Sequence, residues 1–164
     1  GFGSGGGGGG SDNLGNHTAT QDLDLDFNNI IDSKILFNSN TISSTGNAQG
    51  DIVKFGNQTT TAGLVYALTG SGWTLAHTGS NGNASSSLAV ALGTNSTTHG
   101  MLLRGMVNIG YQASTFSGSA CYLEHAGTVG TSYAGTNGHL IRVVGWYYGS
   151  NTIYFNPDNM WIVR

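Results

Sequence analysis

The sequence predicts an all-β protein: an extended N-terminal Gly-rich linker, an oligomeric β-stalk, and a β-sandwich or barrel head with an internal duplication. Three observations carry that expectation. Residues 22–27 alternate strictly, with Leu23, Leu25 and Phe27 against Asp22, Asp24 and Asp26, which puts the apolar and acidic side chains on opposite faces of an extended strand. After Ile52, short apolar runs recur between clusters of Gly, Asn, Ser and Thr. Only 8% of the 164 residues are charged, against about 25% in an average soluble domain, while glycine occurs 28 times and proline once. A surface covered by hydroxyls and amides, with frequent turns, follows from that balance.

In chain order, residues 1–11 are a Gly/Ser tract that reads as a flexible linker. Residues 12–50 form the expected stalk. Its apolar positions (Leu23, Leu25, Phe27, Ile30, Ile31, Ile35, Leu36, Phe37, Ile42) are separated by Asn, Asp and Ser and do not sustain helical spacing. One amphipathic strand without a hairpin partner cannot bury its own apolar face, so Leu23, Leu25 and Phe27 are expected to form a seam with other copies of the chain. Residues 51–164 form the expected head. Its strands are predicted over 52–55, 63–68, 73–76, 88–92, 101–107, 120–123, 140–148, 153–156 and 160–163, at the spacing of an all-β sandwich or barrel. Asn156-Pro-Asp-Asn159 predicts a hairpin corner, with proline setting the first turn and Asp and Asn bonding back to the backbone.

A shift of 56 residues overlays Tyr66 on Tyr122, Trp73 on Val129, and Leu88-Ala-Val-Ala-Leu-Gly93 on Val144-Gly-Trp-Tyr-Tyr-Gly149. A connection shorter by four then brings Met101-Leu-Leu103 onto Ile153-Tyr-Phe155. The overlay predicts two equivalent β-motifs sharing one core, since neither half is large enough to be stable alone. Leu88–Leu92 and Val144–Tyr148 become central strands, and the small residues Ala89, Ala91 and Gly145 are expected to pack under Trp73 and Trp146.

Asp12-Asn-Leu-Gly-Asn-His-Thr-Ala-Thr-Gln21 with the Leu-x-Leu that follows, the pair Leu88-Ala-Val-Ala-Leu-Gly93 and Gly100-Met-Leu-Leu-Arg-Gly105, and the end Ile153-Tyr-Phe-Asn-Pro-Asp-Asn-Met-Trp161 resemble elements of bacteriophage tail-fibre-like virion structural proteins. Where the family pattern closes on Thr-Trp-Val-Glu, this chain has Met160-Trp-Ile-Val163, which keeps the alternation and drops an acid. The resemblance implies a homotrimeric fibre or spike subunit on the virion surface. Its partners would be copies of itself, other virion proteins and a host-surface glycan or outer-membrane receptor. A capsid decoration or head-fibre protein that clamps the shell is the alternative, and a bacterial surface adhesin or filament subunit comes third.

The remaining residues bound the chemistry. The formal net charge is −3, and Lys34, Lys54, Arg104, Arg142 and Arg164 are scattered. Nucleic-acid binding, which needs clustered cations, is not expected. No apolar run approaches the ~18 residues of a membrane span, no signal peptide is recognisable, and the chain, without an initiator Met, reads as a fragment or processed product. Lone Cys121 reads as a small buried apolar residue. Asp22, Asp24 and Asp26 mimic the start of a calcium loop, but Phe27 and Ser33 stand where an EF-hand needs Gly and Glu. His17, His77, His99, His125 and His139 lack the spacing of a shared ion site, with His17 on a trimer axis as the minority exception. No metal, no cofactor and no enzymatic activity are expected, since paired carboxylates are missing. Trp146, Tyr147 and Tyr148 are the candidate receptor-binding residues. Along a strand Tyr147 faces away from its two neighbours, so one side of this run must enter the core and the other must present aromatic surface.

Overall fold

In the computed structural model, residues 42–79, 82–133 and 135–164 are described. His17, the seam Leu23, Leu25 and Phe27, and the acidic row Asp22, Asp24 and Asp26 lie outside the described residues. Eleven strands follow in order: β1 Ala48–Val53, β2 Val65–Thr69, β3 Gly72–Leu75, β4 Leu88–Ala91, β5 Met101–Asn108, β6 Ala120–Leu123, β7 Val129–Gly130, β8 Leu140–Ile141, β9 Val143–Gly149, β10 Thr152–Phe155 and β11 Ile162–Val163. No α-helix occurs among the described residues. The all-β prediction holds: nine strands form one antiparallel sheet curled into a half-barrel, and β8 and β11 pair apart from it.

The pairing order is β3-β2-β4-β5-β10-β9-β6-β7, with β1 added along β5. Under the 56-residue overlay β2 corresponds to β6, β3 to β7, β4 to β9 and β5 to β10, so the strand order is a palindrome. The first wing is β2, β3 and β4 on the start of β5. The second is β10, β9, β6 and β7 on its end. The central register also matches the overlay: Val90 faces Leu102 and Ala91 faces Met101 in the first wing, as Trp146 faces Tyr154 and Tyr147 faces Ile153 in the second.

Both wings line one core. Val65, Ala67, Leu88, Val90 and Leu102 from the first meet Cys121, Leu123, Val144, Tyr147, Ile153 and Phe155 from the second, all buried. At about 25 cal/mol per Å² of apolar surface removed from water, this shared cluster is what makes two small motifs one stable unit.

Several details differ from the sequence expectation. The run 140–148 breaks at Arg142 into β8 and β9, and β8 pairs with β11 in a separate two-stranded ribbon. The segment 156–159 is therefore not a hairpin corner. It carries the chain from β10 to β11, although Asp158 Oδ1 does accept the Met160 N–H at 3.0 Å, the predicted turn chemistry. Strand β7 was not expected, because Val129 is its only apolar residue. The expected stalk–head boundary after residue 50 falls inside β1, where Gly50 lies opposite Gly105. Added side chains there would strike the backbone of the facing strand, so two glycines are needed for β1 to approach β5. Upstream, Ile42 is buried and its carbonyl accepts from the Asn108 amide at 3.3 Å.

Trp146 is corrected as well. It was expected in the core beside Gly145, yet it is 42% exposed. The cause is a bulge. Cys121 pairs with Gly145 and Tyr122 with Val143, which leaves Val144 without a partner on β6. One extra residue inverts every side chain beyond it. Leu88 and its counterpart Val144 both enter the core, but Val90 enters it where Trp146 does not, and Tyr147 enters it where Ala91 does not. Gly145 permits the bulge with φ of 154°, and a Cβ there would run into the Tyr154 carbonyl oxygen.

Candidate functional site

The outer face of the second wing carries an aromatic row. On β9 the alternation is as predicted: Tyr147 is 4% exposed in the core, while Trp146 and Tyr148 are 42% and 60% exposed. Tyr147 therefore leaves the candidate receptor surface, since its ring is consumed by packing. Trp146 lies opposite Tyr154, Tyr154 opposite Met106, and Met106 opposite Gln49, so one row crosses four strands. Tyr122 extends the same face, with the Tyr133 ring set edge-on 5.8 Å away. Tyr133 and Tyr122, with Ile141, Ile162 and Arg164, also border a shallow hollow of about 440 Å³. Sequence reasoning singled out Trp146 and Tyr148 and missed Tyr154, Met106 and Tyr122, which join them only through strand pairing.

One row further along the same strands the surface becomes concave. On one edge, β5 pairs with β4 through Met101 and Leu102 and with β10 from Gly105 to Asn108. Leu103 and Arg104 fall in the gap where the wings part. A cleft of about 500 Å³ opens there, lined by Leu103, Arg104, Asp51, Ser85, Ser86, Ser87, Leu88, Arg142, Asn156, Pro157, Asn159 and Trp161. Arg104 and Asp51 pair at 3.1 Å with both side chains more than half exposed. Asp51 is the one carboxylate among the lining residues.

Arg142 organises the cleft wall. It is 5% exposed. Its Nε donates to the Asp158 carbonyl at 2.7 Å, and Nη1 donates to the Ala84 and Ser86 carbonyls, each at 2.6 Å. Burial lowers its pKa, and nearby Asp158 opposes that shift. A buried cation is tolerated because it is hydrogen-bonded. Three carbonyls from two distant segments thus converge on one guanidinium, whose carbon also lies 5.6 Å from the centre of the Trp161 ring. The signal missed in the sequence was a single Arg inside the apolar run 140–148, since such a residue is almost never buried unless paired.

The other candidates separate. Cys121 is fully buried, its Sγ 3.8 Å from the Ser119 carbonyl oxygen, and burial pushes its pKa up to about 11, the opposite of an activated thiolate. His77 and His125, distant in sequence, meet with ring centres 6.1 Å apart. His99 and His139 lie elsewhere, and among the described residues no three His, Cys, Asp or Glu side chains gather around a common point. Comparison with protein-family models, with curated proteins and with solved structures finds no match for this chain.

Proposed function

We propose that this chain is a subunit of a bacteriophage virion fibre or spike, non-enzymatic and homotrimeric, whose head presents the second wing to a host-surface glycan or outer-membrane component. The observation that carries the reading is the outer aromatic surface of the second wing, where exposed Trp146 and Tyr148 adjoin half-buried Tyr154. Aromatic surface of this kind is the usual anchor of a recognition site. The N-terminal motifs and the seam Leu23, Leu25 and Phe27 supply the assembly half of the proposal.

A second reading, a capsid decoration or head-fibre protein that stabilises the shell, draws support from the palindromic strand order, since paired β-motifs suit a clamp. Mass measurement of the full chain in solution tests the first reading. A trimer is expected, and Leu25→Asp should abolish it, because three unpaired charges would enter an apolar seam. A stable monomer overturns the trimeric fibre. Antibody label or density on the capsid rather than the tail decides for the clamp.

A further inference from the structure

The cleft between the wings has a chemistry distinct from the aromatic row. We propose that it binds a neutral, hydroxyl-rich saccharide, one ring face laid on Trp161 and its hydroxyls held by Asp51, Arg104, Asn156 and Asn159. The inference extends the attachment reading to a second site and to a ligand class, and it can hold even where trimeric assembly fails.

Four features lead there. A volume of about 500 Å³ lies within the range of small-molecule sites, roughly 300–1,000 Å³. Trp161 is 43% exposed, so its ring offers a platform, and the C–H face of a sugar packs on an indole. That platform is fixed in advance: Arg142 sits against the ring and is itself locked by three carbonyls. A ring already held in place loses little freedom when a ligand lands on it. Finally, the polar groups around it are carboxylate, guanidinium and amide, the planar donor and acceptor sets that match vicinal hydroxyls.

Electrostatics select a neutral sugar over an anionic one. Arg104 is compensated by Asp51 at 3.1 Å, and Arg142, its donors on the backbone carbonyls of Asp158, Ala84 and Ser86, has the nearby Asp158 carboxylate as its counter-charge. A phosphate, sialate or uronate entering the cleft would meet the Asp51 carboxylate without an uncommitted cation to offset it. An apolar ligand would leave the Asp51–Arg104 pair and the Asn amides unsatisfied.

The test is a titration of the ¹⁵N-labelled full chain, followed by NMR. The probes are maltohexaose, cellohexaose and mannohexaose, with trigalacturonate as the anionic comparator. At least one neutral hexaose should shift the amides of Leu103, Arg104, Asn156 and Asn159 and the Trp161 indole. Trp161→Ala and Asp51→Asn should each weaken binding by about tenfold or more, about 1.4 kcal/mol, while Trp161→Phe retains most of it and Trp146→Ala changes it by less than about twofold. Unchanged dispersion of the variant spectra separates lost binding from lost folding. No shift with any neutral probe, or binding that survives Trp161→Ala, overturns the site. Preference for trigalacturonate overturns its neutral specificity. Shifts confined to Trp146 and Tyr148 sink the cleft and keep the attachment face. Cleft shifts in a monomeric chain do the reverse for the fibre assembly.

Discussion

The two wings of the head share a strand plan and differ in how they are finished. In the first wing both faces are buried. Beneath lies the common core, and above it Tyr66, Trp73, Ala89, Ala91 and Met101 form a second cluster. The segment after β1 closes that outer side. Phe55 packs on Trp73 with ring centres 5.3 Å apart, Gln58 Oε1 accepts the Trp73 backbone N–H at 3.3 Å, and Tyr66 Oη accepts the Thr61 backbone N–H at 2.9 Å. In the second wing the same outer side presents Trp146, Tyr148 and Tyr154. Where the first wing has Ala89 and Ala91 under an indole, the second has Gly145 and a bulge that turns an indole outward. A duplicated plan thus yields one wing that is structural throughout and one that is half surface. The cleft sits where they separate.

The comparison is most exposed to failure in the shared core. Val90 and Val144 come from different wings, yet both are fully buried in one cluster. Val90→Asp and Val144→Asp should therefore each destabilise the head by more than about 4 kcal/mol, since each leaves a carboxylate in a dry interior. Urea unfolding would measure it. Native-state hydrogen exchange should find the amides of β4 and β9 among the slowest of the described residues. If one substitution unfolds only its own wing, the wings are separate units and the shared core is wrong.

The outer faces give the next largest contrast. Trp73→Ala removes a 3% exposed indole and should cost about 3–5 kcal/mol. Trp146→Ala, at 42% exposure, should cost less than about 1 kcal/mol. Equal losses would mean that the aromatic row is packing rather than presented surface. A smaller effect isolates the bulge: Gly145→Ala should cost about 2 kcal/mol, because its Cβ meets the Tyr154 carbonyl oxygen and its φ suits glycine. Its counterpart in the overlay, Ala89, already carries a Cβ. If Gly145→Ala is neutral by denaturant melting, the bulge does not set the direction of Trp146.

Much of the plan is legible in the sequence, and the limits are physical. Ala120–Leu123 is bounded as predicted, and Leu88–Ala91 nearly so, because short apolar runs between turn residues report strands directly. The opposite facing of Tyr147 against Trp146 and Tyr148 follows from period-two alternation alone. The bulge does not: nothing local distinguishes Val144-Gly145 from any small pair, and its effect appears only against the register of β6. The cleft is harder still. Asp51, Arg104 and the 156–161 segment are far apart in the chain, and their meeting depends on β5 changing partners at Leu103. Only a misplaced Arg142 hinted that a buried polar anchor was needed.

The last contrast separates the wings by pH. Cys121 on β6 is buried, which pushes its pKa from the ordinary 9.0 up to about 11. Tyr111 is pushed from 10.0 up to about 12, chiefly by burial, with the bond its oxygen accepts from Val129 at 2.7 Å opposing the shift. Both groups serve the second wing, Cys121 within its core and Tyr111 by holding β7. A raised folded pKa means that the folded chain keeps a proton the unfolded chain has lost. Stability is therefore fully present below about pH 9 and falls as pH rises through the folded values. For Cys121 the slope is at most about 1.4 kcal/mol per pH unit. Amides of β6 and β7 should lose protection before those of β2 and β4 as pH climbs past 9, relative to the intrinsic exchange rate. Cys121→Ala should remove the first part of that loss, between pH 9 and 11, and leave the later part due to Tyr111. Simultaneous loss in both wings would show that alkaline opening is global and that the second wing is no weaker than the first.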